Sequence, residues 1–225
     1  MVTKYTEWHT PATDYPRVRL GSMRVKSYQY KKGCYHMNGL LDSVLFQVVK
    51  PIIITDLQEY INGRWKTWMV DDPPHWEAMK FYAKEARGRV LTTGLGLGLV
   101  IHLLADNPKV ESITVVERST DVIGLMHDLI PSCNIVNKDF YHFMEETDLR
   151  FDTCIIDLWT TAIAPKRELF GNAFETRRMV DKRWPYALTF LHGFIPLCDK
   201  VWPMSQQTRD DLTRLAREEN ALSNL

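Results

Sequence analysis

The sequence of 225 residues has no excess of charge of either sign, with 28 Lys and Arg against 28 Asp and Glu. A neutral chain lacks the basic field with which nucleic-acid-binding domains gather phosphates, so net charge offers no such partner. Cysteine is sparse: Cys34, Cys133, Cys154 and Cys198 lie far apart, with no C-x-x-C among them. That spacing excludes a zinc knuckle and a disulfide framework and leaves reduced thiols. The histidines show no pairing at metal-ligand spacing, so no metal site is expected. No apolar run approaches the roughly 20 residues that span a bilayer, and the opening MVTKYTEWHTPATDYPR lacks the apolar stretch of a signal peptide. A cytoplasmic protein without membrane contact is the expectation.

What is present is ordinary globular composition, 45% hydrophobic, at a length that suits one α/β domain with a small appendage. Residues 17–71 are β-rich. In RVRL-GS-MRVK apolar and basic residues alternate about Gly21-Ser22, and in PIIITDLQEYI-NG-RWKTWMV the pair Asn62-Gly63 suits a type I′ turn; both predict hairpins. From Asp72 the period changes. Asp72 can cap a helix whose first turn takes Pro73, and strands RVLTTG, ESITVVER, NIVNKD and FDTCIIDLW then alternate with helical segments. This alternation predicts a Rossmann-like, doubly wound, mostly parallel sheet over 72–225, with residues 1–71 as a β-hairpin appendage. The segment ALTFLHGFIPL is open between strand and helix, and SQQTRDDLTRLAREENALSNL reads as a polar helix. The closing antiparallel hairpin of a seven-stranded sheet is not found in 185–225. A sheet truncated at its C-terminal strands, with the last segment covering an edge or forming a homo-oligomer contact, is therefore expected.

The chemistry starts at RVLTTGLGLGLVIHLL, where Gly94, Gly96 and Gly98 stand between a strand and a helix. A nucleotide-like ligand needs backbone to come close at such a junction, and glycine removes the side chain that would intervene. A tight turn with close packing needs the same residues. The dinucleotide fingerprint G-x-G-x-x-G wants glycine at position 99, which is leucine, and this counts against NAD. Twenty-three residues after Gly94, the next strand ends in Glu117, where a carboxylate can accept the hydrogen bonds of both ribose hydroxyls. The third and fourth strands end at Asp139 and Asp157. Three successive strands thus place a carboxylate at the edge where open α/β sheets bind ligands.

In VLTTGLGLG, VVER, NKDFYHF and FDTCIIDLW, with the preceding EYINGRWKTWMVDD, the chain resembles the class I S-adenosylmethionine-dependent methyltransferases, within them the branch similar to spermidine synthases. The likeness covers about residues 58–160. It implies a cofactor loop of Thr93, Gly94, Leu95, Gly96 and Gly98 around the methionine part, ribose held at Glu117 with Arg118 beside it, adenine addressed by Asp139 and Phe140, and Asp157 near the reacting methyl. Thr92 matches the neutral residue that the spermidine-synthase-like branch carries two positions before the first glycine. Aminopropyl transfer in that branch relies on paired aspartates after the fourth strand, whereas this chain has D-L-W-T-T-A. Methyl transfer to a small-molecule acceptor is accordingly preferred, ahead of aminopropyl transfer, sulfonium cleavage or a non-catalytic partner subunit with the same fold.

Displacement at a sulfonium needs an aligned nucleophile and, where that atom carries a proton, a base. Asp157 is the catalytic candidate, and Trp159, His75 and Trp76 are candidates for the acceptor pocket. DPPH at 72–75 is similar to the D-P-P-Y motif of amino-methylating enzymes but does not follow the fourth strand, so a helix start is preferred. The stretch RVRLGSMRVKSYQYKK, within residues 17–32, has basic residues interleaved with Tyr28 and Tyr30 and suits nucleic acid in principle. The solvated face of a hairpin is preferred.

Overall fold

A computed structural model describes residues 3–38, 43–158 and 166–192 of the chain. The N-terminal strands are β1 (Thr3–Tyr5), β2 (Arg19–Leu20), β3 (Met23–Tyr30), β4 (Gly33–Asn38), β5 (Ser43–Val48), β6 (Ile52–Ile61) and β7 (Arg64–Val70), with a short 3-10 turn at Pro11–Asp14. They form two sheets, ordered β1-β5-β4 and β2-β3-β6-β7. Both expected hairpins are present. Asn62 and Gly63, at φ of 52° and 77°, make the turn between β6 and β7, and Gly21 turns β2 into β3. The antiparallel pair β4–β5 is an addition that the sequence pattern did not signal.

Helix α1 (Pro73–Glu85) follows. Asp72 caps it by accepting from the His75 backbone N–H at 3.2 Å, and Pro73 and Pro74 open its first turn without giving up helical hydrogen bonds. Then come β8 (Gly88–Thr93), α2 (Leu99–Ala105), β9 (Val110–Glu117), α3 (Thr120–Met126), β10 (Asn134–Asn137), α4 (Phe140–Glu146), β11 (Thr153–Ile156), α5 (Lys166–Arg183) and β12 (Leu188–Leu191). The last five strands are all parallel and run in the order β10-β9-β8-β11-β12. The order reverses beside β8, where open α/β sheets bind their ligands. ALTFL, open between strand and helix from sequence, is strand: pairing of Leu188–Leu191 with Thr153–Ile156 decides it. Trp159 and residues 193–225, which include the expected terminal helix, lie outside the described residues.

Both faces of the parallel sheet are covered, as successive side chains along each strand show. Val90, Val115, Ile155 and Phe190 enter one core with α1, α2 and α3, while their neighbours Leu91, Val116, Ile156 and Leu191 enter another with α4 and α5. Met23, Val25 and Leu57 of the N-terminal sheets join the first of these cores. Asp121 of α3 strengthens that junction by accepting from the Ser22 backbone N–H at 2.8 Å and hydroxyl at 3.1 Å. The N-terminal strands are thereby packed against the first core and α3 of the parallel sheet. No helix among the described residues is long and apolar enough to cross a membrane.

Candidate functional site

Among the described residues, the carboxyl ends of the parallel strands gather Thr93 to Gly98, Glu117, Asp139 and Asp157, residues singled out from the sequence. Gly94 turns the chain out of β8, its N–H held by the Val116 carbonyl at 2.9 Å. A Cβ on Gly94 would stand 2.6 Å from the Asp157 carbonyl oxygen. Thr93, fully buried, accepts the Asp157 N–H on its hydroxyl at 2.9 Å. The tips of β8 and β11 are thus drawn together, and only glycine allows it.

The other two glycines of the comb are packed by side chains. A Cβ on Gly96 would meet the Met69 sulfur at 2.3 Å, and one on Gly98 would meet Ile130 Cγ2 at 2.3 Å. Met69, at the end of β7, also accepts the Leu97 N–H at 3.3 Å. Met69 is a loop contact that spacing alone did not reveal. Leu95 and Leu97 point into the core, whereas Gly94 and Gly96 keep part of their surface open.

Glu117 binds the loop directly. Its carboxylate accepts the Leu95 N–H at 2.8 Å through one oxygen and the Ser119 N–H at 2.7 Å through the other, and the residue is only 8% exposed. The sequence separates these partners by 22 residues; the parallel pairing of β8 with β9 brings them together. Arg118 is exposed beyond Glu117. Asp139 caps α4 by accepting from the Tyr141 and His142 N–H groups at 2.9 and 3.3 Å, and the Phe140 side chain is buried in the second core. Any contact of Phe140 with a ligand is thereby left to its backbone.

Over β11 and β12 stands a second group. His192 directly follows β12, and its backbone N–H donates to the Ile156 carbonyl at 2.8 Å, beside Asp157. The His192 ring lies 5.1 Å, centroid to centroid, from that of His75, and its Nδ1 is 3.2 Å from the Tyr82 hydroxyl. His75 Nδ1 lies 3.3 Å from the Asp72 carboxylate, which also accepts the Tyr30 hydroxyl at 3.1 Å. Burial works against charge on His75, but the hydrogen bond and charge of Asp72, with Asp157 and Asp71 beyond, outweigh it and raise the imidazole above its ordinary range. His192 goes the other way: burial lowers it and His75 adds to the effect, against the pull of Asp157 and Asp72. The structure brings His75 and Asp157 together as candidates, while Trp76 packs against the first core. His192 and Tyr82 were missed. The signal for His192 was a polar residue closing an apolar run, as Glu117 and Asp157 do.

The basic stripe of β2 and β3 is largely engaged within the chain. Arg17 donates to the Tyr15 and Thr13 carbonyls and to Ser27, Arg24 donates twice to Gln58, and Arg24 and Arg19 lie 4.0 and 5.2 Å from the ring centre of Trp65.

No protein-family model matches the sequence, and no curated protein matches it. Solved structures do. One is CalS10, an amino pentose methyltransferase from Micromonospora echinaspora with S-adenosylmethionine bound: 18% identity, TM-score 0.34, 54% of this chain and 49% of that one covered. Another is the plantazolicin methyltransferase BpumL in complex with S-adenosylhomocysteine and a desmethyl analogue: 15% identity, TM-score 0.35, 54% and 48% covered. A third is a dimethyladenosine transferase from Plasmodium falciparum, at 16% identity and TM-score 0.31, with 46% of this chain and 37% of that one covered. The match spans about half the length of these proteins, or less.

Proposed function

We propose that this chain binds S-adenosylmethionine along the tips of β8, β9 and β10 and transfers its methyl group to a small-molecule acceptor over β11 and β12. The observation that carries this is Glu117, which ties the glycine loop to the tip of the second strand. A carboxylate offers about four lone-pair sites; the Leu95 and Ser119 N–H groups use two, leaving acceptor capacity for the ribose hydroxyls. The backbone of Gly94 and Gly96 borders the methionine part, with Thr93, Leu95 and Gly98 shaping the turn. Arg118 flanks the ribose, and Asp139 and the Phe140 backbone address the adenine. The cofactor supplies an electrophilic methyl group on a sulfonium. The protein's part is to align the acceptor, exclude water and hold the proton that the acceptor loses.

On this reading the reacting carbon lies near Asp157, at the reversal of strand order. Assignment to the spermidine-synthase-like branch is supported by the β6–β7 hairpin that seats Met69 on the loop and by buried, neutral Thr92. The single aspartate in D-L-W-T-T-A favours methyl over aminopropyl transfer. The cytoplasm is the compartment this reading implies. Incubation with methyl-labelled S-adenosylmethionine and host extract tests it: S-adenosylhomocysteine and one labelled small molecule are expected. Methylthioadenosine as the product would replace methyl with aminopropyl transfer, and labelled nucleic acid would refute the small-molecule acceptor.

A further inference from the structure

Three elements converge where the acceptor would sit: α1, with Asp72 and His75 at its start and Tyr82 in its last turn, the tip of β11 with Asp157, and the end of β12 with His192. Tyr82 lies at Nδ1 of His192 at 3.2 Å, its ring near perpendicular to the imidazole at 87°. His75 lies across the ring at 5.1 Å, tilted by 32°, and is itself bound to Asp72. His192 is thus held by backbone to β11, by Tyr82 at one nitrogen and by His75 on its face, next to the position assigned to the reacting methyl.

Resting on the methyltransferase reading, we propose that His192 is the residue that takes the proton from an acceptor whose attacking atom carries one, with Tyr82 and His75 positioning its ring. The attacking atom X of the acceptor forms a bond to the methyl carbon, the carbon–sulfur pair stays with sulfur, and the X–H proton passes to His192 Nε2 and on to solvent. No oxidant, reductant or metal is needed. For this role the imidazole donates its Nδ1–H to the Tyr82 oxygen, which leaves the Nε2 lone pair to receive the proton.

Among the described residues, the charged and titratable groups facing His192 are His75, Asp72, Tyr82 and Asp157. Two imidazoles side by side are pushed in opposite directions, His75 up and His192 down. Such a divergence separates a charge-bearing group from a proton-accepting one. Asp157, whose backbone N–H is held by Thr93, then serves as the local anion that favours the imidazolium once the proton has arrived.

The test needs no acceptor. Nitrogen-15 and carbon-13 histidine spectra of the full chain, with the His192 signal assigned through His192→Gln, are titrated with pH in the free protein, with S-adenosylmethionine and with S-adenosylhomocysteine. The sulfonium differs from the thioether by one positive charge. With that charge beside the ring, the sulfonium complex is expected to titrate at least about half a pH unit below the thioether complex at His192. Nitrogen shifts of the neutral ring are expected to report the Nδ1–H tautomer. Coincident His192 midpoints in the two complexes, or an Nε2–H tautomer, would overturn the proposal while leaving the cofactor reading intact. No change at the Gly94–Gly98 amides with either nucleoside would overturn the cofactor reading itself, and the proposal with it.

Discussion

Gly94→Ala separates the close approach of two strand tips from the conformational freedom of glycine. Gly94 has φ of +76°, and Gly63, in the β6–β7 turn, has nearly the same φ of +77°. The left-handed backbone alone costs an alanine about 1–2 kcal/mol at either position. At Gly63 nothing stands within 4 Å of the added Cβ, so this is the whole expected loss. At Gly94 the Cβ would stand 2.6 Å from the Asp157 carbonyl oxygen, under the 3.0 Å that real Cβ atoms keep. That oxygen is backbone and cannot swing away. Relief requires β8 and β11 to part at the Thr93–Asp157 bond, an overpacking strain of about 1–3 kcal/mol. Gly94→Ala is therefore expected to lose about 2–5 kcal/mol against about 1–2 for Gly63→Ala, read as denaturant midpoints at unchanged slope. Equal losses for the two variants would refute the close approach as the reason for glycine at the head of the comb.

Other perturbations follow from buried charge. Asp56 is 5% exposed; its Oδ2 accepts from Gln58 and Thr67, and its Oδ1 has no partner among the described residues. Burial raises its carboxyl against those bonds and the charges of Arg24 and Lys26. A carboxyl raised on folding makes the wild type lose stability as pH climbs from the unfolded value, about 3.9, through the folded one. Asp56→Asn should thus gain on the wild type between pH 4 and pH 7, and a pH-independent difference in unfolding free energy would contradict this. Asp72→Asn should keep the α1 cap, because Asn and Asp cap almost equally well, but lose the stability that charged His75 contributes. That contribution is complete below the unfolded histidine value, about 6.5, and fades as pH rises through the raised folded value. The variant should therefore fall short of wild type more at pH 5.5 than at pH 8.5, and a deficit that grows with pH would refute the pairing of His75 with Asp72.

Much of the parallel sheet was legible because each strand carries paired apolar residues closed by a polar one: VLTT, ITVVE and TCIID. The order of strands was not written locally. It comes from crossover helices that cover both faces, and with it came the meeting of Leu95 and Glu117. LTFL resisted because so short a stretch, apolar but for Thr189, fits a buried strand and a buried helix alike, and only its partner β11 decides. His192, which follows LTFL, escaped notice for that reason. The pair β4–β5 was missed because GCYHMN shows no clean apolar alternation. For the comb, spacing gave its place between strand and helix but not what fills the room beside it. Met69 and Ile130 arrive from elements that lie far off in sequence.

Whether the loop and Glu117 hold an S-adenosyl nucleoside is measured directly by calorimetric titration. S-adenosylmethionine and S-adenosylhomocysteine are expected to bind the full chain, and NAD is not. Glu117→Gln sets an amide N–H₂ against one of the two backbone donors now bonded to the carboxylate and removes the charge facing the ribose. A hydrogen bond to a charged group is worth about 1.5–3 kcal/mol, so affinity should fall roughly 10- to 150-fold. Binding of NAD in place of both S-adenosyl nucleosides, or undiminished affinity in Glu117→Gln, would contradict the account.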